Sequence, residues 1–385
     1  MTGIARARDV LADRAKVAQD LQREGRQVLG YLSVQIPLEI LTALDVVPLR
    51  LFGDIREPVT EADRGLPAAF CPYLRSVLDL AIKGKFDFLD GLIGCHACDA
   101  QEKTVRILPS LVRFPYTHYL DMPSTTRASA IEYFRSQIVD FKDSLETLTG
   151  RTLTEARLLV AITAHNEQRG LVRQLYERKK TDPPALTGRE TLEVVTAIQT
   201  LPVERGNQLL REVLEEVDSR KERPTAKAAR VLVWGGVLHD PVYMDAIEVA
   251  GASVVIDDLD EGTRPYMTDV ETQGDLYGQL AHKYLVGIPA ARTFREAEAF
   301  ETVKDHAGDL QARFGDLGRF VRDWKVDGVI LQAPRYCDPH AADLVDVTDY
   351  LRSLDVPSIY VEHDYSEGSL APLRTRIEAF VETLE

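Results

Sequence analysis

Four cysteines offer the most distinctive chemistry in this sequence: Cys71, Cys95, Cys98 and Cys337. The segment Cys95-His96-Ala97-Cys98 has the spacing of a zinc-binding or thioredoxin-like redox motif. A structural zinc site usually needs a second ligand pair, and the sequence has no further CxxC or HxxxH pair. Widely spaced thiolates that hold an iron–sulfur cluster fit the pattern better, since soft sulfur ligands suit iron. A buried, unreactive thiol is the alternative for each of the four.

Three of these thiols are expected at the beginnings of helices. Cys71-Pro72 places proline at the first position of a helix, which suits proline. Directly after Cys337, Asp338-Pro339 predicts an N-cap followed by proline at the first helical position. Cys98 follows a predicted strand, and ligands of doubly wound sheets gather beyond the carboxyl ends of strands. Because helix N-termini stabilise thiolates and anionic clusters, the three thiols could converge in a cleft between two domains.

The segments that must position these residues alternate between short apolar runs and helical stretches, which predicts βαβ units and parallel sheets. We divide the chain into an N-terminal helical segment (1–28), a first α/β domain (29–124), a helical segment with a linker (125–228) and a second α/β domain (229–385). The central helices are predicted within 154–180 and 188–218, and the linker at 219–227. The predicted strands are 27–33, 47–52, 88–93 and 111–116 in the first domain, and 230–234, 253–257, 328–331 and 358–362 in the second.

The two α/β regions resemble each other in sequence. A helix beginning at Pro37-Leu38-Glu39 precedes a strand in the first, and a helix beginning at Pro241-Val242-Tyr243 precedes a strand in the second. A later strand begins with Asp90-Gly91 in one region and with Asp327-Gly328 in the other, and a cysteine follows each of them. The expected fold is therefore α/β, with two pseudo-related doubly wound domains that contain short parallel sheets, plus N-terminal and central helical segments.

The composition excludes several classes of protein. The 385 residues include 61 acidic and 46 basic side chains, a formal charge of −15, which argues against nucleic acid as a partner. No apolar run approaches the roughly 20 residues of a transmembrane helix, and the polar start is unlike a signal peptide. We therefore expect a cytoplasmic protein without a membrane partner.

Taken in order, these features resemble the 2-hydroxyacyl-CoA dehydratase/benzoyl-CoA reductase family over nearly the whole chain. The motifs that carry the resemblance are Gly30-Tyr31 through Pro37-Leu38-Glu39 to Leu51-Phe52-Gly53, Cys71 with Arg75-Ser76, Cys98-Asp99, Tyr336-Cys337-Asp338, and Glu362 with Arg374-Thr375-Arg376-Ile377-Glu378-Ala379-Phe380. Two middle segments look most like the gamma-type (C) subunits of ATP-dependent benzoyl-CoA reductases: Asn166-Glu167-Gln168-Arg169 with Leu175-Tyr176, and Asp257-Asp258-Leu259 with Gly262 and Arg264.

The resemblance implies a catalytic subunit that holds a [4Fe-4S] cluster through Cys71, Cys98 and Cys337, paired with a related cluster-bearing catalytic subunit. ATP-hydrolysing activator subunits, with ferredoxin as electron donor, would supply low-potential electrons. This agrees with the lack of a GxxxxGK[ST] loop here. The substrate would be an aryl-CoA, with the ring of benzoyl-CoA reduced to a cyclic dienoyl-CoA in anaerobic aromatic degradation. Cys95 lies outside the three-cysteine pattern; it either caps the fourth iron or, as we favour, is a buried bystander.

Further residues are candidates for binding substrate or moving protons. Reduction of a ring needs a nearby acid. The candidate proton donors are His96, Glu362 and His363, and Tyr336, His340 and Asp364 are further candidates near the proposed cluster. A surface or purely structural role is the alternative for each. Arg264 could bind a CoA phosphate, with a structural ion pair as the alternative. Gly235-Gly236 could let the backbone approach a ligand, although the spacing is not that of a dinucleotide fingerprint.

Three other functions fit the sequence. A 2-hydroxyacyl-CoA dehydratase subunit would use the same low-potential electron to expel a hydroxyl group through a ketyl radical. A non-catalytic subunit or assembly factor would merely carry a cluster. A metal-free, flavodoxin-like binding protein would contain no iron at all.

Overall fold

Two four-stranded parallel sheets form the framework of the computed structural model, which describes residues 2–295 and 306–384. The first sheet has the order β2-β1-β3-β4 and consists of β1 (Gln27–Tyr31), β2 (Val46–Arg50), β3 (Gly91–Cys95) and β4 (Thr117–Leu120). The second has the order β6-β5-β7-β8 and consists of β5 (Ala229–Gly235), β6 (Ala252–Asp258), β7 (Gly328–Pro334) and β8 (Ser358–His363). Every pairing within both sheets is parallel.

Fourteen helices are present in the described ranges. Those up to the end of the first sheet are α1 (Gly3–Ala12), α2 (Arg14–Arg23), α3 (Leu38–Ala43), α4 (Pro72–Ile82) and α5 (Asp99–Leu111). The central helices are α6 (Ala128–Thr149), α7 (Glu155–Glu177), α8 (Gly188–Ile198) and α9 (Val203–Ser219). The helices of the second α/β region are α10 (Pro241–Val249), α11 (Leu276–Leu285), α12 (His306–Asp323), α13 (Asp338–Ser353) and α14 (Leu370–Glu382).

The two sheets share one topology and one detail of side-chain chemistry. Their strand orders are identical when the strands of each region are numbered from its start. The Asp90 carboxylate accepts the backbone N–H of Val28 at 2.7 Å, and the Asp327 carboxylate accepts that of Arg230 at 2.8 Å. Each aspartate thereby fixes the start of the first strand against the third strand of its sheet. The predicted fold, α/β with two pseudo-related doubly wound sheets, is confirmed.

Seven of the eight strands overlap their predicted ranges, and the prediction of a strand at 111–116 is wrong. Helix α5 continues to Leu111, and the fourth strand, β4, begins only at Thr117. Pro115 has no backbone N–H to donate to a sheet, so pairing becomes possible only beyond it. The first pair in the register is Leu92 with Thr117.

The predicted helical segments are confirmed, but two of them are interrupted. The N-terminal helix is divided into α1 and α2 at Asp13, whose side chain accepts the backbone N–H of Lys16 and so caps a new helix. Pro202 separates α8 from α9, because it lacks the N–H that a continuous helix would need. Helix α7 begins directly after its N-cap Thr154, the first residue of the predicted range.

The apolar side chains form two buried clusters. One includes both strand and helix residues from the two α/β regions, and the other packs beneath α3, α6 and α11. The helices α1, α8 and α9 pack together beside the first cluster, with Ala7, Val194 and Val213 among their fully buried residues. No described helix has both the length and the apolar composition that crossing a membrane requires.

Candidate functional site

Three of the four cysteines are N-cap residues of helices. Cys71 precedes α4, Cys98 precedes α5 and Cys337 precedes α13. The prediction that Asp338 is the N-cap of the last of these helices is wrong by one residue. The carbonyl of Cys337 already accepts the first helical hydrogen bond, from the N–H of Ala341 at 3.0 Å, so the helix begins one residue earlier.

The three N-cap thiols line one cavity of about 80 Å³, which we call the thiol cavity. It also includes backbone that follows the first and third strands of each sheet: Leu32 after β1, Cys98 after β3, Gly236 after β5 and Cys337 after β7. In the order β2-β1-β3-β4, the chain adds β2 on one side of β1 and then adds β3 and β4 on the other side. The direction in which strands are added therefore reverses between β1 and β3, and ligands bind beyond the carboxyl ends of the strands at that point. The thiol cavity therefore lies at the ligand-binding edge of both sheets at once.

The electrostatics of the thiols combine burial with helix N-termini. Burial raises the pKa of Cys71 to about 12 and raises the pKa values of Cys98 and Cys337 as well. Backbone N–H groups of the first helical turn oppose this effect at each thiol; that of Gln101 donates to the Cys98 sulfur at 3.3 Å. The charge of a Cys98 thiolate would raise the pKa of Cys71, and both would raise that of Cys337, so the three sulfurs are electrostatic neighbours.

Two buried polar atoms of side chains that line the thiol cavity have no hydrogen-bond partner among residues 2–295 and 306–384. They are Nε2 of His340 and Oε1 of Gln101, and both residues are more than nine-tenths buried. The other ring nitrogen of His340, Nδ1, lies 3.3 Å from the Cys337 sulfur. A Cβ atom at Gly236 would approach the His340 ring to 3.2 Å, so glycine there leaves room for the imidazole. Buried polar atoms are normally satisfied, so these two point to a ligand in the cavity.

Arg264 lines the thiol cavity, but its guanidinium is already held by four hydrogen bonds. Nε and Nη1 donate to the carboxylates of Asp258 and Asp260, at 2.9 and 2.6 Å. Nη2 donates to the carbonyl oxygens of Gly235 and Asp258, at 3.0 and 2.7 Å. These contacts join the end of β5 to the loop after β6 and place Asp260 against the thiol cavity. A CoA phosphate bound by Arg264 stays a prediction, and the observed contacts are structural.

His96 lies outside the lining of the thiol cavity, although it is two residues from Cys98. Its ring nitrogens face three carboxylates: Asp99 at 3.4 Å, Asp121 at 3.6 Å and Glu102 at 3.9 Å. The side chain is 29% exposed, and Asp99 is almost fully exposed. The structure thus places this predicted proton donor in an acidic surface group beside the cavity.

Glu362 and His363 are also outside the lining of the thiol cavity. Glu362 is exposed and accepts a hydrogen bond from Arg335 at 3.0 Å. His363 is buried, and its ring nitrogens lie 3.3 Å from the Tyr243 hydroxyl and 3.0 Å from Oε1 of Gln332. Burial lowers the pKa of His363 to about 4, so the ring is neutral near pH 7. The role of both residues as proton donors stays a prediction.

Cys95 is separated from the three N-cap thiols by its place in the sheet. It is the last residue of β3, fully buried within the second apolar cluster, and it does not line the thiol cavity. Burial raises its pKa to about 11. This position is that of a core thiol, which agrees with the interpretation of Cys95 as a bystander.

Among the residues of the thiol cavity that sequence reasoning missed are Gln101, Asp260 and Arg292. Gln101 could have been found, because it lies three residues after the N-cap Cys98, on the turn that faces the thiol. Arg292 comes from the loop after α11. Its guanidinium offsets part of the rise in the pKa of Cys98 that burial causes. No local motif marks Asp260 or Arg292, since only the tertiary fold brings these loops to the cysteines.

The donor set of the thiol cavity suits a soft metal centre. Three sulfur ligands converge on it, each at a helix N-terminus whose N–H groups stabilise negative charge, and a guanidinium adds positive charge at its rim. Iron–sulfur clusters are held by such thiolates, and hydrogen bonds to the sulfurs tune them. The residues present therefore fit a [4Fe-4S] cluster with three protein ligands.

Comparison with known proteins identifies the family of the chain. The family described as 2-hydroxyglutaryl-CoA dehydratase, D-component, matches residues 33–384. The C subunit of benzoyl-CoA reductase from Thauera aromatica is 26% identical over 365 residues, 94% of this chain and 91% of the relative. The putative dehydratase subunit YjiM of Escherichia coli is also 26% identical, over 95% of this chain and 93% of the relative. The (R)-phenyllactyl-CoA dehydratase beta subunit of Clostridium sporogenes is 21% identical, over 98% and 97%.

The family match begins after β1 and includes every later strand of both sheets and the positions of the three N-cap cysteines. The matches confirm the relationship that the motifs predicted, since both branches of that relationship are among the relatives. The chain belongs to the 2-hydroxyglutaryl-CoA dehydratase, D-component family, which includes subunits of 2-hydroxyacyl-CoA dehydratases and of benzoyl-CoA reductase.

Proposed function

We propose that this chain is the iron–sulfur catalytic subunit of an ATP-dependent, ferredoxin-dependent benzoyl-CoA reductase. Cys71, Cys98 and Cys337 would hold its [4Fe-4S] cluster. The observation that carries the proposal is the convergence of these N-cap thiols in one cavity at the ligand-binding edge of both sheets. The match to a benzoyl-CoA reductase supports the choice of reaction. A related catalytic subunit, ATP-hydrolysing activators and ferredoxin would be its partners.

The side chains around the thiol cavity would prepare it for an anionic, electron-carrying centre. When bound, the cluster supplies one-electron transfer at low potential, which no side chain can provide. The N–H groups of the first turns of α4, α5 and α13 stabilise the three thiolates. Arg292, held by the carbonyl oxygens of Met122 and Pro123, adds a fixed positive charge. Apolar contacts of Leu32 and Leu74 restrict water at the rim.

His340 would position one thiolate and contact the ligand with its other nitrogen. A thiolate at Cys337 has no proton to donate, so the 3.3 Å contact requires that Nδ1 of His340 carries the proton and donates it. Nε2 of the neutral ring then presents a lone pair to the cavity. Together with Oε1 of Gln101, it offers hydrogen-bond acceptors to whatever binds there.

Those acceptors favour a second candidate, a 2-hydroxyacyl-CoA dehydratase subunit. The hydroxyl group of a 2-hydroxyacyl substrate could donate to Nε2 of His340 or to Oε1 of Gln101, whereas an aromatic ring has no such donor. Dehydratase beta subunits of Clostridium sporogenes and Anaerotignum propionicum are among the relatives. In this candidate the same three thiols would hold the cluster.

The first experiment measures iron and acid-labile sulfide in anaerobically purified protein co-expressed with its partner subunit. We expect about four of each per chain for the wild type and for Cys95→Ala. Cys71→Ala, Cys98→Ala and Cys337→Ala should each lose most of the iron while the complex remains assembled. Cys95→Ala is the matched control, because it removes a buried thiol that does not line the thiol cavity. If wild-type protein purified in this way is folded but contains no iron, the ligand assignment is overturned.

A second experiment separates the possible reactions. A reductase consumes electrons in proportion to the dienoyl-CoA formed, whereas a dehydratase needs only an initial electron for many turnovers. Reduced ferredoxin consumed per product, measured with benzoyl-CoA and with a 2-hydroxyacyl-CoA, therefore decides between them. If Cys98→Ala leaves turnover of the intact complex unchanged, the chain is a non-catalytic carrier and both candidates are wrong.

A further inference from the structure

Arg50, the last residue of β2, is a buried cation without a close counter-ion. The residue is 1% exposed, and in the described part of the chain its Nε has no hydrogen-bond partner and no carboxylate forms a salt bridge with it. Its guanidinium lies over two aromatic rings, 5.6 Å from the centre of Tyr31 and 5.8 Å from that of Phe52. Arginine keeps its charge even when buried, so the usual solution is a paired anion. The contacts of Arg50 lack one.

A second orphaned donor lies in the lining of the same cavity, which we call the arginine cavity. This cavity has a volume of about 50 Å³ and is distinct from the thiol cavity, since none of the cysteines lines it. Gln168 of α7 is 7% exposed, and its amide Nε2 also has no partner. Arg50 and Gln168, two lining residues from different elements, thus each have an unsatisfied N–H donor, and Gln199 on the same lining has an unsatisfied acceptor, Oε1. Their ligand must carry acceptor oxygens.

The charges around the arginine cavity favour an anion over a neutral acceptor. Arg169, which also lines it, is already paired with the Glu39 carboxylate. Arg14 donates to the backbone oxygen of Arg50 and to the Thr200 hydroxyl, so it adds a second positive charge that is bound only to neutral oxygens. The buried carboxyl of Glu261 acts on Arg50 from the second α/β region. Burial raises the pKa of Glu261 to about 7, so this group compensates only part of the charge. The Asp260 carboxylate also acts on Arg50, but it is already paired with Arg264.

The size of the arginine cavity limits the ligand. On this measure of volume a water molecule needs roughly 10–15 Å³, so the space holds roughly three to five waters or an acid of about four non-hydrogen atoms. Ile198 and Leu201 add apolar side chains to the lining, against which a methyl group could pack.

We propose that the arginine cavity binds a small carboxylate, of the size of formate or acetate, through the guanidinium of Arg50 and the amide of Gln168. Bidentate hydrogen bonds between a guanidinium and a carboxylate are among the strongest in proteins. The proposal does not rest on the cluster or on the proposed reaction, because the site contains neither cysteines nor the residues around them. It can therefore be tested on metal-free protein.

The test is a titration of the full-length, metal-free chain with sodium acetate, at constant ionic strength maintained with chloride. Binding raises the thermal midpoint in a saturable way, and calorimetry gives the dissociation constant. We expect Arg50→Met to weaken acetate binding at least tenfold and Gln168→Leu to weaken it less. Arg319→Met is the matched control, because Arg319 is an exposed arginine whose salt bridge is with Asp316 on its own helix. Benzoate should not bind, since its ring exceeds the space.

Three results would overturn the proposal. The first is a rise in the thermal midpoint that is linear in acetate concentration, and the second is a rise that is the same in Arg50→Met and Arg319→Met.

The third result comes from a crystal experiment, which replaces the variant if Arg50→Met does not fold. Crystals of the wild type are soaked in bromide. An anomalous peak beside Arg50 supports anion binding, and ordered water alone at that position contradicts it.

Discussion

His340 occupies an unusual position among the buried residues, because one ring nitrogen contacts a cysteine sulfur and the other has no partner. A histidine that served only to fill the core would have both nitrogens satisfied or facing solvent. The contact at Nδ1 means that the state of the Cys337 sulfur determines which nitrogen carries the proton. The ring thus couples the ligand sulfur to whatever binds in the thiol cavity.

We predict that His340→Leu weakens iron binding by about 10- to 100-fold, since hydrogen bonds to metal ligands contribute that much to affinity. The measurement is the rate at which a chelator removes iron from anaerobic protein. His282→Leu, a change at an exposed histidine on α11, is the control. Equal rates of iron loss in the two variants would show that His340 does not support the cluster.

The buried ion pair between Glu39 and Arg169 has a clear consequence for stability. Burial alone would raise the pKa of Glu39, but the adjacent Arg169 guanidinium lowers it to about 2. The Tyr284 hydroxyl also donates to this carboxylate, at 2.8 Å. Because the pKa in the folded state is below the ordinary value of 4.5, the stabilisation is complete above pH 4.5. It is lost as the pH falls towards 2.

We therefore predict that Arg169→Met lowers the free energy of unfolding by about 3–5 kcal/mol at pH 7, because it leaves a buried carboxylate unpaired. The double variant Glu39→Gln/Arg169→Met should recover part of this loss. Urea unfolding at pH 7 and pH 3 measures both effects. If the single variant loses as much stability between pH 7 and pH 3 as the wild type does, the lowered pKa of Glu39 does not depend on Arg169.

At the scale of elements, the two sheets begin in the same way. In each, an aspartate before the third strand accepts the N–H at the start of the first strand, and its own N–H donates back to the same strand. The glycine that follows lies in a tight space: a Cβ at Gly91 would come within 2.6 Å of the Tyr116 carbonyl oxygen, and one at Gly328 would come within 2.8 Å of the Phe380 ring, which would have to shift. The Asp-Gly pairs found in the sequence are thus the joints between first and third strands.

We predict that Asp90→Ala and Asp327→Ala each lower the free energy of unfolding by about 1–3 kcal/mol, since each leaves a backbone N–H without its acceptor. The two residues belong to different sheets and share no partner, so the double variant should show the sum within about 0.5 kcal/mol. Chemical denaturation of the three variants measures this. A deviation of more than about 1 kcal/mol would mean that the sheets are energetically coupled through these joints.

Local patterns in the sequence predicted most elements but not their exact limits. Seven strands and the central helices follow from apolar periodicity, although the break at Pro202 within the predicted stretch 188–218 was not predicted. The fourth strand was misplaced because 111–116 is apolar enough for a strand, although α5 continues into it. The N-cap before α13 was misplaced by one residue because Asp is a stronger N-cap than Cys. Backbone hydrogen bonding decided both cases: Pro115 has no N–H to donate to a sheet, and the Cys337 carbonyl accepts the first helical hydrogen bond.

The candidate site was predictable only in part, because several of its residues come together only in the assembled fold. Motif order identified Cys71, Cys98 and Cys337, and the strand-end rule placed Cys98 and Cys337 at a shared edge. Arg292 and the unpaired donors of the arginine cavity come from a loop, a strand and a helix far apart in sequence. Their proximity is a property of the assembled fold, which spacing along the chain does not encode.

At the scale of the whole molecule, the thiol cavity joins two halves that otherwise each have their own sheet. Cys71 and Cys98 belong to the first half and Cys337 to the second. A metal centre held by all three would therefore connect the halves and restrain three helix starts at once. This is a mechanical role in addition to a chemical one.

We predict that loading with iron slows amide hydrogen exchange in the first turns of α4, α5 and α13 together. Exchange at the start of α8, which is closed by its own capping box at Thr187 and Glu190, should not change. Mass spectrometry of anaerobic protein with and without iron measures both. Protection at α4 and α5 without protection at α13 would exclude Cys337 as a ligand.

The unequal number of thiols in the two halves determines what a bound cluster could exchange with its surroundings. The halves share one strand order, and Cys98 and Cys337 follow the third strand of each. The first half adds Cys71 before its third strand, but the sequence has no cysteine between Cys98 and Cys337 to match it. If each half supplied two such cysteines, each of the four iron atoms of a cluster would have a cysteine ligand. This departure from symmetry would leave one iron free to change its ligand during turnover.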